Sequence, residues 1–237
     1  MKKGLAVMDD PIMKHYVPDT EWFDQSSLEK MLRTYDLVYI KPDVGRQGNG
    51  IIRVKRLKAG DYKISYKHSS HLCSRDKVYS TIKEILDPDK EYLVQRGIDL
   101  ATYRRRPFDV RVVLQKPRDR WRATLMCAKV APQRSSVVTN VSKGAKDYNL
   151  YRLLNRTDQP LRRSEIIRDL IDASQQIAQI LGSRFPLEIL GLDMAIDKRG
   201  NIWFIEANTK PDCKGLEKID RKLYRKYLRA KKIMRDG

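Results

Sequence analysis

The chain has 237 residues, 41% of them hydrophobic and 33% charged, and its formal net charge is +19. That length fits one large domain or two lobes sharing a cleft, and excludes a small scaffold that needs staples to fold. The charge excess attracts polyanions such as nucleic acid, anionic membrane, nucleotides or acidic polymers, and says little about fold.

Cys73, Cys127 and Cys213 are scattered and odd in number, with no Cys-x-x-Cys spacing. They read as reduced thiols in a cytoplasmic setting, and argue against a disulfide scaffold or zinc finger. The first apolar run is cut by Asp9 and Asp10 and is too short for a signal peptide. No stretch approaches a membrane span, so the expectation is a soluble, intracellular protein.

In chain order, residues 1–35 start loosely around Pro11 and Pro18 and reach a helix with a serine cap at Ser26 and an apolar stripe of Leu28, Met31 and Leu32. Residues 36–40 read as a buried strand ending at Lys41-Pro42. The following loop carries Gly45, Gly48 and Gly50 and runs into a second strand from Ile51. Closely spaced glycines let backbone N–H groups approach a phosphate, with a lysine at the strand end as a point charge. This is no P-loop, because a strand rather than a helix follows, and a plain hairpin turn is the competing reading. His68-Ser69-Ser70-His71 has metal-like spacing, yet nothing nearby completes a ligand set, and it reads as a loop. Residues 75–86 have helical periodicity. The apolar strand over 91–98 turns polar at Gln95-Arg96, as a connector between lobes would.

The second half opens with a strand on which Asp109 and Arg111 share one face and Val110 and Val112 the other. Strands over 121–131 and 136–141 follow, then an irregular segment to Pro160. A long amphipathic helix is expected over 164–181, capped by Gly182. The tail from Gly215 reads as a basic helix whose charged face is solvated, and the chain has no recognised nucleic-acid-binding motif.

The most informative stretch is 191–211, two apolar strands around a polar turn at 197–201. Asp193 interrupts the first strand. Glu206 and Asn208 sit two apart on the second and therefore on one face. Three hard oxygen donors within a few ångströms suit Mg²⁺, which fills its other positions with water and phosphate oxygens. A polar strand edge facing water is the alternative.

A lysine and glycine-rich hairpin, a connector, and a late Asp…Glu-x-Asn hairpin occur here in the order that resembles the ATP-grasp superfamily. Within it, the chain is similar to the YheC/YheD-like endospore coat-associated branch. The matching segments are Val17-Pro18-Asp19-Thr20, Tyr39-Ile40-Lys41-Pro42, Asp109-Val110-Arg111, the run from Thr139 to Gly144, and the run from Ile205 to Pro211. The resemblance implies an α+β ATP-grasp fold, two α+β lobes with the nucleotide held in the cleft between them. Residues 1–35 would lead into the fold, 36–97 would form the lid lobe, and 98–237 the metal-binding lobe with the basic helix.

It also implies roles. Lys41 would contact the ATP phosphates, with Gly45, Gln47, Gly48 and Gly50 in the lid over them. Gln95, Arg96 and Ile98 would hold the adenine, with Asp99 near the ribose. Asp193, Glu206 and Asn208 would bind Mg²⁺, and Arg111, Lys129 and Asn140 would sit near the γ-phosphate and the acceptor. The expected chemistry is phosphoryl transfer from ATP to a carboxylate, such as that of a peptide, and attack by an amine on the acyl phosphate. Most ATP-grasp enzymes carry a further domain ahead of the lid, whereas about fifteen residues precede Val17 here. ATP binding without turnover, in a structural spore-associated role, is therefore one alternative, and a basic polyanion binder is another.

Overall fold

The computed structural model describes residues 2–45, 48–67, 69–134, 136, 139 and 143–236. They form two compact units, one of residues 18–98 and one of residues 1–17 with 99–237. The chain opens with α1 (Lys2–Met8), which belongs to the second unit.

The 18–98 unit is a six-stranded antiparallel sheet carrying two helices. Its strands are β1 (Thr20–Trp22), β2 (Leu37–Pro42), β3 (Ile52–Arg56), β4 (Tyr62–Tyr66), β5 (Ser69–Cys73) and β6 (Tyr92–Arg96), in the order β1-β6-β2-β3-β4-β5. Between β1 and β2 runs α2 (Gln25–Thr34), and between β5 and β6 runs α3 (Val78–Ile85). Helix α2 starts earlier than its serine suggests. Asp24 is the N-cap, its carboxylate accepting from the Ser27 N–H at 2.7 Å while Ser27 Oγ accepts from the Asp24 N–H at 3.0 Å. Alternation along β2 and β3 buries Val38, Ile40, Ile52 and Val54, and the stripes of α2 and α3 (Leu28, Met31, Leu32, Val78, Ile82) close over them. Each such side chain contributes about 1.5–3 kcal/mol on burial. Strand β5 lies where the His-Ser-Ser-His segment reads as a loop. Its residues are almost all exposed, so no apolar alternation marks it in the sequence, and His68 itself lies outside the described residues.

Gly97 ends β6 against β2, its N–H donating to the Leu37 carbonyl at 2.7 Å. A Cβ there would lie 2.2 Å from Leu37 Cγ and 2.8 Å from its carbonyl oxygen. Gly97→Ala is expected to destabilise this unit by about 1–3 kcal/mol. Urea unfolding of the variant checks this, and an unchanged midpoint would contradict the packing.

The other unit is built on a second antiparallel sheet. Strand β7 (Thr102–Tyr103) pairs with β8 (Arg106–Gln115), followed by β9 (Arg122–Val130), β10 (Lys146–Tyr148), β11 (Ile189–Ile196) and β12 (Ile202–Asn208). The main order is β10-β9-β8-β11-β12. Helices α4 (Leu150–Leu154), α5 (Arg163–Arg184) and α6 (Arg221–Asp236) complete it. One sheet face buries Phe108, Val110 and Val112 of β8 with Leu190, Leu192 and Met194 of β11, beneath Leu170, Ile177 and Leu181 of α5. The opposite face is apolar only in part: Val113, Leu125 and Cys127 pack there with Cys213, Leu216 and Tyr227.

Gly182 does not cap α5. It lies inside the helix, where a Cβ would come 2.6 Å from Trp121 Nε1, so the bare position is the seat of that indole. Three short elements lie where the sequence reads as irregular. Ala6 and Val7 of α1 are buried, α4 is capped by the Asn149 side chain, and β10 is three residues long. Each is shorter than the window in which a period can be read. The strand expected over 136–141 falls largely on residues outside the described set. Among the described residues, no helix is long and apolar enough to cross a membrane.

Candidate functional site

In the 18–98 unit, Lys41 and Gln95 project from neighbouring strands, and the Lys41 ammonium donates to Gln95 Oε1 at 2.5 Å. Gln95 is buried, and its Nε2 donates to Thr20 Oγ1 at 2.8 Å, which itself donates to the Pro18 carbonyl at 2.7 Å. The relay fixes the amide orientation and holds the lysine at the end of β2. The guanidinium of Arg96 lies over the Tyr35 ring at 5.1 Å. Gly48 and Gly50 have φ of 68° and 77°, backbone that a side chain rarely adopts, and Gly45 lies against Pro42. Gln47 lies outside the described residues. Ile98 is half-buried at the end of this unit. In the other unit Asp99 is exposed and paired with Lys198 at 2.9 Å.

The stronger constellation lies on the sheet of that second unit. Asp109 and Arg111 come from β8, Lys129 from β9 and Asp193 from β11. Asp109 stands opposite Lys129, and Asp193 stands between Arg111 and Glu206. Pleat alternation puts all of these on the face away from α5. Arg111 grips Asp193 with two N–H groups, Nε on Oδ1 and Nη2 on Oδ2 at 2.9 Å. The Lys129 ammonium lies 3.1 Å from Asp109 and 3.1 Å from Asp193, and Thr139 donates its hydroxyl to Asp109. Two carboxylates and two cations are thus interlocked, with the Lys129 and Asp193 side chains 8% exposed.

Burial works against the charge on Asp193, but Lys129 and Arg111 outweigh it, and its pKa stays below the ordinary carboxylate value. Asp109 goes the other way. Burial pushes it up to about 7, against the pull of Lys129 and with help from the nearby Asp193 charge. The Cys127 thiol, opposite Arg111, is pushed up by burial and by Asp147, so it is an inert core thiol.

The predicted metal ligands meet on β11 and β12. Asp193 faces Glu206 in register, and Asn208 Nδ2 donates to Glu206 Oε1 at 3.2 Å. The pairing depends on an irregularity. Met194 faces Phe204 while Asp193 faces Glu206, so Ile205 is an extra residue in β12. Without this bulge Glu206 would share the face of buried Phe204 and point into the core. With it, Glu206 joins Asp193. The donor set is two carboxylates and an amide oxygen, all hard, which suits a Mg²⁺ ion that keeps several positions for water and phosphate. Among the described residues no group of three or more His, Cys, Asp or Glu side chains forms a metal cage.

Of the sequence-predicted residues, Arg111, Lys129, Asp193, Glu206 and Asn208 come together on one sheet, and Lys41 joins Gln95 on the other. Asn140 lies outside the described residues. Asp109 and Thr139 were visible in matching segments without a role. The part of Asp109 follows from strand register and that of Thr139 from a hydroxyl contact made outside the strands, and neither is visible in sequence spacing.

A family model described as YheC/D like ATP-grasp matches residues 6–233. The chain is 28% identical over 213 residues to the endospore coat-associated protein YheD of Bacillus subtilis (strain 168), covering 85% of this chain and 46% of that protein. It is 23% identical over 215 residues to the endospore coat-associated protein YheC of the same organism, covering 88% and 58%. The chain therefore spans about half the length of the curated relatives it matches. Among solved structures it is similar to the ATP-grasp ligase PsnB complexed with a phosphomimetic variant of its minimal precursor, Mg and ADP. That match has TM-score 0.53 at 13% identity, covering 98% of this chain and 56% of that one. It is also similar to a Chryseobacterium gregarium RiPP-associated ATP-grasp ligase in complex with ADP and a leader and core peptide, at TM-score 0.51 and 11% identity over 93% and 55%. At such identities these structures speak to fold alone. The fold is ATP-grasp, α+β, and the chain belongs to the YheC/D-like ATP-grasp family.

Proposed function

We propose that this chain is an ATP- and Mg²⁺-dependent ligase that joins a carboxylate to an amine through an acyl phosphate. The observation that carries the reading is the oxygen-donor set of Asp193, Glu206 and Asn208 directly beside Arg111 and Lys129. Asp193, Glu206 and Asn208 would hold Mg²⁺, which supplies charge neutralisation to phosphate oxygens when bound. Lys41, steadied by Gln95, would meet the nucleotide phosphates. Gly45, Gln47, Gly48 and Gly50 would lie over them, and Gln95, Arg96, Ile98 and Asp99 would contact the nucleoside.

Arg111 uses two of its five N–H donors on Asp193, and Lys129 uses two of three on the carboxylates. Each keeps donors for a phosphoryl oxygen or an acceptor carboxylate, with Asn140 as a third candidate. Because both cations are fixed on packed strands, little reorganisation is needed when charge develops. A peptide carboxylate is the acceptor class we propose, since the similar PsnB and C. gregarium ligases carry precursor or core peptides. The YheD and YheC names motivate a spore-associated setting in endospore coat assembly.

The test is thermal unfolding with and without ATP and MgCl₂, followed by ADP release with a pool of acidic peptides and amines. At ligand a hundredfold above Kd, binding is expected to stabilise by about 2.7 kcal/mol. Lys41→Ala should weaken the gain from ATP even in EDTA, because Lys41 would act on phosphate directly. Absence of any nucleotide-dependent shift would overturn the reading. Binding without ADP release would replace it with a non-catalytic nucleotide-binding role.

A further inference from the structure

The largest excess of charge in the chain lies in none of these positions. Helix α6 has eight Lys or Arg among its sixteen residues and a single acid, Asp236, which pairs with Arg235 at 3.0 Å. It packs on the turn at Pro117–Asp119, which with its flanks adds Lys116, Arg118, Arg120 and Arg122 against one acid, Asp119. Asp119 is held by Lys116 at 2.9 Å. More than half of the chain's +19 sits on this one surface of the 1–17 and 99–237 unit.

The fold brings these cations together rather than letting them disperse. Lys226 is drawn onto the Ala123 carbonyl at 2.6 Å, beside Arg122, and burial together with that guanidinium lowers its pKa. Like charges held this close oppose folding unless a partner relieves them. Arg118 is exposed at φ 53°, a left-handed backbone that a β-turn would more cheaply give to glycine or asparagine.

We propose that α6 and the 116–122 turn form a binding surface for the phosphate backbone of nucleic acid, without sequence selectivity. Three features select this partner. The apolar stripe of α6 (Leu223, Tyr224, Tyr227, Ala230) is spent on the sheet, with Leu228 the one large exposed apolar residue of the helix, so there is no face to bury in lipid. Leaving out Lys226 on the Ala123 carbonyl and Arg235 paired with Asp236, six cations lie along the ~24 Å of the sixteen-residue helix, roughly one per 4 Å, and the cations of the turn add to them. A nucleic-acid strand offers a charge about every 3.4 Å, whereas an extended acidic peptide turns alternate side chains away and offers one about every 7 Å on a face. The surface is independent of the ligase reading, and an unchanged thermal unfolding midpoint of the ligand-free variants serves as the folding control.

The test is fluorescence anisotropy of the full chain with a labelled 20-nucleotide single strand and a 20-base-pair duplex. Between 50 and 200 mM salt, affinity is expected to fall on the order of 100-fold for the single strand and roughly 500-fold for the duplex, as about five phosphate contacts imply. The variant Lys222→Glu/Arg225→Glu/Arg229→Glu/Lys232→Glu should bind at least tenfold more weakly, with a shallower salt slope. A variant of equal charge, Lys58→Glu/Arg75→Glu/Lys77→Glu/Lys83→Glu, should bind like the parent chain. The inference is overturned if both variants weaken alike, or if polyglutamate competes as well as the oligonucleotide at equal charge. Binding to phosphatidylserine vesicles without binding to nucleic acid would overturn it as well.

Discussion

Lys129→Met is expected to lower the stability of the chain by about 3–5 kcal/mol at pH 7, the range for removing one partner of a buried ionic group. The methionine fits the volume, so the loss is electrostatic: Asp109 and Asp193 are left buried beside each other, with Arg111 committed to Asp193. The effect should shrink at lower pH. Asp109 already has a folded pKa of about 7 against an ordinary value of 3.8, so it binds its proton more tightly in the folded state. Stability from that proton is fully present below about pH 3.8 and is lost as pH rises to about 7. Without Lys129 the folded pKa lies higher still, and the decline continues past neutrality. Urea unfolding at pH 5 and pH 7.5 measures both quantities. A loss under 1 kcal/mol at pH 7.5 would mean that the network is solvated rather than interlocked.

Glu206→Gln is expected to separate binding from folding. Glu206 is exposed, so the amide should leave the unfolding midpoint of the ligand-free protein within about 0.5 kcal/mol of the parent. If it holds Mg²⁺, affinity for ATP in the presence of Mg²⁺ should fall on the order of 100-fold, about 2.7 kcal/mol. Affinity in EDTA should be unchanged. Asp193→Asn would confuse the two effects, because Asp193 also neutralises Arg111 and Lys129. Isothermal titration with ATP in Mg²⁺ and in EDTA checks the contrast. Equal losses in both buffers would place Glu206 on the nucleotide rather than on the metal.

Much of this molecule was legible from residue pattern because its elements are locally consistent. The β11–β12 hairpin carries its turn chemistry at Asp197, whose side chain accepts from the Arg199 and Asn201 N–H groups, each at 2.9 Å. Strands β2 and β8 show their buried faces by alternation, and α5 shows its stripe. What stayed hidden was set by contacts distant in sequence. The resemblance singles out Lys129, but only register shows its partners, Asp109 twenty residues earlier and Asp193 far downstream. Gly182 reads as a helix stop because the indole that needs its bare surface comes from Trp121. The basic tail reads as a solvated face because the sequence does not reveal that it lies on a second cationic turn.

The surplus residue at Ile205 divides β12 into halves answering to different demands. Before it, Ile202 and Phe204 are held to the apolar interior, where changes of size are felt at once. After it, the phase of the pleat is reset, and Glu206 and Asn208 hang from the same backbone without any obligation to that interior. One strand can thereby keep its inward-facing Ile202 and Phe204 constant while Glu206 and Asn208 change, and neither change need propagate into the other.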